Sequence, residues 1–198
     1  MSHKNKEESN SPVENREVEK QEDHTNAVRD LQKDLLEKRP IQWDQMPDID
    51  LYMDQVLEYM VRQHIGLEGK ESLTSAMVNN YIKRGLLPRA HGKKYDREHI
   101  AYLTAICLFK QILSVDDTDA MLKVQLKNHK IDEFYNQYCH ILHEEFNKMA
   151  DKLAKNRSGQ GEEDMKEEEA CKLILELAIS SYVQKSTCEK LLRRFSQE

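Results

Sequence analysis

Absences set the first limits on this chain. Its four cysteines, Cys107, Cys139, Cys171 and Cys188, include no Cys-x-x-Cys pair. That excludes the common thiolate zinc sites and a disulfide-stapled scaffold, and leaves free thiols in a reducing cytoplasm as the expectation. There is no Gly-rich phosphate loop, no nucleophile beside a base and no carboxylate pair in an apolar setting. Neither an enzyme nor a cofactor is therefore expected. The longest apolar-rich stretch, Leu173 to Ile179 (LILELAI), is far short of the roughly 20 residues that cross a bilayer. The first residues, MSHKNKEESN, lack the apolar centre of a secretory signal. The expected location is cytoplasmic, with no membrane contact.

The most informative absence is of acids. Asp and Glu make up 36 of 198 residues, yet none occurs from Ser72 to Tyr95. The net charge is -6, but Thr74 to Arg97 holds six Lys/Arg against Asp96 alone, a local +5 that leaves -11 on the remainder. The acidic total argues against a general nucleic-acid coat, while the concentrated basic charge points to one local anionic contact.

What is present divides the chain in three. Residues 1–42 lack aromatics and are rich in Glu, Lys, Asn and Ser, the composition of a disordered polar tail. Within it, Val28, Leu31 and Leu35 have helical spacing. Residues 43–126 form the expected domain. Asp50 is the candidate cap of its first helix, with Leu51, Val56, Leu57, Met60 and Val61 inward and Gly66 as its end. Residues 127–198 read as two long amphipathic helices. The first carries Ile131, Phe134, Tyr138, Ile141 or Leu142, Phe146, Met149 and Leu153 at 3–4 spacing, and a glycine hinge near 156–164 separates it from the second.

The segment around 75–84 carries the functional signal. Thr74 can cap a helix there, Leu73 and Val78 have hydrophobic-staple spacing, and Gly85 and Pro88 stop it. Met77, Val78, Tyr81 and Ile82 make one apolar side; Ser75, Ala76, Asn79, Asn80, Lys83 and Arg84 make the other. "RAHGKKY" follows as a small basic β-wing over 88–95 tipped by Gly92. Asp96 then caps a helix with Ile100, Leu103, Ile106, Cys107 and Ile112 inward, and Ser114 with Asp117 opens another. Helix, turn, short basic helix, wing, helix is the order of a winged helix-turn-helix, giving an all-α fold with a small β-wing. Ser75, Asn79 and Asn80 are the candidates for base edges, because an Asn amide pairs bidentately with adenine. Lys83, Arg84, Arg89, Lys93, Lys94 and Tyr95 are the candidates for phosphates. Cys139, His140, His143 and Glu144 fall within a turn and a half of helix, but without further ligands they read as a solvated face, and no metal is expected.

"YIKRGLLP", "GKKYDREHIAYLTAICLFKQI" and "LSVDDTDAML" resemble the DNA-binding domain of MerR-like regulators. "PDIDLYMDQV", "LTSAMVNNYIKRGLLP", "KKYDREHI" and "FKQILSVDD" more closely resemble an uncharacterised bacterial family known as domain of unknown function eighteen thirty-six. The resemblance covers about Trp43 to Leu126. It implies a MerR-like winged helix-turn-helix and double-stranded DNA as partner, with Tyr81, Lys83, Lys93, Lys94 and Tyr95 at matching places. Asn79-Asn80 replaces the Arg-Tyr pair usual in MerR-like helices, and neither promoter untwisting nor the MerR dimerisation helix carries over. The expected function is sequence-specific regulation of transcription, with the C-terminal helices either pairing two protomers into a homodimer or receiving a signal. The alternative is a helical adaptor that docks a protein and does not bind DNA.

Overall fold

The computed structural model describes residues 27–63, 73–155 and 165–196. It is built mostly of helices around one two-stranded sheet. Helix α1 covers 27–37, and a single 3-10 turn covers Trp43–Gln45. Strand β1 (Leu51–Tyr52) runs directly into α2 (Met53–Val61). After α3 (Ser75–Arg84) comes β2 (Lys94–Tyr95), then α4 (Arg97–Phe109) and α5 (Val115–Leu126). The long helices α6 (Ile131–Lys155) and α7 (Glu167–Phe195) complete the order. β1 and β2 are antiparallel, Leu51 opposite Tyr95 and Tyr52 opposite Lys94.

Helix α4 is the axis of the main core. Ile100, Ala101, Leu103, Ala105 and Ile106 are all fully buried, as expected of a helix apolar on most sides. At about 1.5–3 kcal/mol for each large aliphatic side chain withdrawn from water, this helix anchors the elements around it. Val56 and Met60 of α2, Val78 and Tyr81 of α3, and Phe134, Tyr135 and Tyr138 of α6 close over it. The core therefore does not stop at residue 126. It extends through the first turns of α6 to Cys139 and takes in Ile41 and Trp43 at the front.

Part of the segment expected as a polar tail is folded. Residues 27–42 are folded, and only 1–26 lie outside the described residues at that end. Leu35 is buried with Ala150, Leu153 and Leu173 in a second, smaller cluster shared by α1, α6 and α7. The stretch after α1 is fixed by its backbone. The Ile41 N–H donates to Gln63 Oε1 (3.1 Å), and the Ile41 carbonyl accepts from the Tyr135 hydroxyl (2.9 Å). Arg39 donates to His143 Nδ1 and Asn147 Oδ1 and lies over the Phe146 ring.

Several local expectations change. Asp50 does not cap α2, because pairing with β2 takes Leu51 and Tyr52 and moves the start to Met53. The Tyr52 N–H instead donates to the Gln55 side chain (2.9 Å). Val61 is 72% exposed and Ile112 54% exposed. The first ends α2, and the second lies beyond the end of α4 at Phe109. In α6 the inward residue is Leu142, while Ile141 faces solvent. Gly66 and the hinge at 156–164 lie outside the described residues. No described helix is long and apolar enough to cross a membrane.

Candidate nucleic-acid interface

Helix α3 begins and ends where its sequence says. The Thr74 hydroxyl accepts from the Met77 N–H (3.2 Å), a cap worth about 1 kcal/mol. Gly85 takes φ 79°, and the Tyr81 carbonyl accepts from the Leu86 N–H (3.0 Å). That conformation costs a side-chain-bearing residue roughly 1–2 kcal/mol, which is why glycine stands there. Leu86 and Leu87 then turn into the core. The helix is held by Val78 and Tyr81, so its other side is free. Ser75, Asn79 and Lys83 form one exposed row along it and Ala76, Asn80 and Arg84 the next.

The two rows differ at their C-terminal ends. Arg84 is paired with Asp116 in the first turn of α5, so its charge is already answered. Lys83 forms no ion pair with any described residue, and the same holds for Arg89, Lys93 and Lys94. Four cations and three small polar side chains thus remain open to an anionic partner on α3 and the wing.

The wing is a two-residue turn set on a longer-range strand pair. His91 and Lys94 exchange both backbone bonds (2.9 and 3.1 Å), with Gly92 at φ 68° and Lys93 at the tip. Beyond the turn, β2 pairs with β1. Lys94 therefore stands on the exposed side of the sheet over the ring of Tyr52 (5.5 Å). Tyr52 is 49% exposed. The alternation of buried Leu51 with exposed Tyr52 is the trace of a strand too short to announce itself.

Tyr95 corrects the phosphate set. It is only 5% exposed, lies edge-on to His99 (5.3 Å between ring centres), and burial pushes its hydroxyl pKa up. Its ring is a core anchor of the wing, on the face of β2 opposite Lys94. His99 is buried and reaches back across the wing. Its Nδ1 is 2.6 Å from Asp96 Oδ1 and its Nε2 is 3.3 Å from the Arg89 carbonyl. Burial alone would raise the Asp96 pKa. The His99 ring and backbone bonds, with the charges of His99 and His91, outweigh that and hold it below the usual carboxylate range.

The α6 residues that could suggest a metal do not converge. Cys139 is buried, and burial pushes its thiol up to about 11. His143 sits between Arg39 and Asn147. Among the described residues, no three His, Cys, Asp or Glu side chains gather as a metal site.

Residues 41–138 match the family described as "Domain of unknown function (DUF1836)". That span nearly coincides with the main core, from Ile41 to Cys139. No curated protein and no solved structure matches the chain.

Proposed function

We propose that this chain, which carries a domain of the DUF1836 family over residues 41–138, binds double-stranded DNA as a sequence-specific regulator of transcription. Helix α3 is the recognition helix and 88–95 the basic wing of a MerR-like winged helix-turn-helix. One observation carries the reading: the exposed face of α3 contains amides, a hydroxyl and cations but no acid, in a chain of net charge -6. The surrounding negative charge would repel phosphates elsewhere and confine contact to this face. Asn79 and Asn80 would read base edges, with Ser75 at the N-terminal end of the same face. Lys83, Arg89, Lys93 and Lys94 would hold phosphates. Two protomers paired through their C-terminal helices would offer two such faces to successive half-sites.

Fluorescence anisotropy with duplex DNA selected from a genomic pool, measured across a salt series, tests this. Binding should weaken linearly on a log-log plot against salt. Lys93→Glu with Lys94→Glu should flatten the slope by about 1.8, at roughly 0.9 for each lost phosphate contact. Asn79→Ala with Asn80→Ala should leave the slope unchanged and reduce discrimination between selected and random duplexes by at least about tenfold. No binding at low salt, with a stoichiometric protein complex recovered instead, would overturn the DNA reading in favour of the adaptor.

A further inference from the structure

Helix α7 has two apolar sides, and the fold uses one. Leu173 and Leu192 are buried and Leu177 and Cys188 half-buried, which seats the helix against the rest of the molecule. Around the helix from these, Cys171, Leu175, Ala178, Ile179 and Tyr182 recur every three or four residues and face solvent. Ile174 and Val183 widen the stripe, and both are more than half exposed. A run of this length and spacing on the outside of a helix is the pattern of a helix–helix seam.

We infer that this stripe is the interface between two copies of the chain, paired antiparallel along α7. The inference rests on the C-terminal pairing of the proposed function and gives it residues and a direction, but its test needs no DNA. The chain's own remaining segments are poor in apolar side chains: residues 1–26 hold only Met1, Val13 and Val18 as large ones, 64–72 hold Ile65 and Leu67, and 156–164 hold none. The area suits a second copy. Leu175, Ile179 and Tyr182 at the centre of the stripe, with Ile174 and Val183 at its two edges, are each more than half exposed; covering them would bury on the order of 1,000 Å² for a pair, the smallest area of a specific interface.

Charge fixes the direction. Exposed Glu168 lies two turns before Leu175 on the face of the stripe, and exposed Arg193 five turns after Leu175 on the same face. In an antiparallel pair Glu168 meets the partner's Arg193, and that register sets Ile179 against the partner's Tyr182. A parallel pair would set Glu168 against its own copy and Arg193 likewise, which repels at both ends.

Sedimentation equilibrium on the full-length protein tests the interface. The wild type should be a dimer at about 10 µM, a concentration at which interfaces of this size are commonly occupied. Leu175→Glu with Ile179→Glu should be monomeric to about 100 µM while keeping the far-ultraviolet circular dichroism of the wild type, because neither side chain is in a core. Glu168→Arg alone and Arg193→Glu alone should each weaken dimerisation by about tenfold, and the two changes together should restore it. A monomeric wild type, or a dimer that survives Leu175→Glu with Ile179→Glu, overturns the interface. Single charge changes that weaken dimerisation and fail to rescue each other overturn the antiparallel direction.

Discussion

Asp96 does two jobs with one carboxylate. It accepts from the His99 N–H to cap α4 (3.2 Å), and its side chain holds the His99 ring that spans the wing to the Arg89 carbonyl. Because its folded pKa lies below the ordinary value, its contribution is present above the unfolded carboxylate pKa, near 4, and is lost as pH falls through the folded value. Asp96→Asn should therefore lower stability at neutral pH and narrow its gap to the wild type below about pH 4. Urea unfolding at a series of pH values checks this. Tyr95 belongs at the same scale. Its position beside two lysines suggested an outward role, but a strand alternates sides, and the partner of β2 decides which side is inward.

At the scale of the element, α3 was legible to the residue. A capping threonine, a left-handed glycine, a following proline and an apolar row at 3–4 spacing are all local signals, and each acts within one helix. β1 was not legible, because two residues carry no period and its partner lies more than forty positions away. The same lack of distance information hid the ion pair between Arg84 and Asp116, which joins the end of α3 to the start of α5. An exposed pair of this kind contributes little to stability, but it withholds one cation from an anionic partner. Asp116→Asn should leave unfolding by urea within about 0.5 kcal/mol of the wild type. In the DNA titration it should steepen the salt slope by about 0.9 as Arg84 becomes free to reach a phosphate.

At the scale of the whole molecule, the described residues form two hydrophobic clusters, and α6 runs through both. The larger was readable from apolar spacing. The smaller was not, because α1 resembles a solvated tail until α6 and α7 supply partners for Leu35. Leu35→Ala should cost about 2–4 kcal/mol, measured by urea unfolding, which no residue of a disordered tail would do. The sheet has a different consequence, one for the order of assembly. Leu51 and Tyr95 pair only after the chain carrying α2 and α3 has closed between them. Closing that long a loop must be offset by contacts already made around α4. The turn at Gly92 can form at any time, but the strands beneath it cannot. The wing should therefore mature late in folding, once the helices it stands on have docked, and loosen early when they separate.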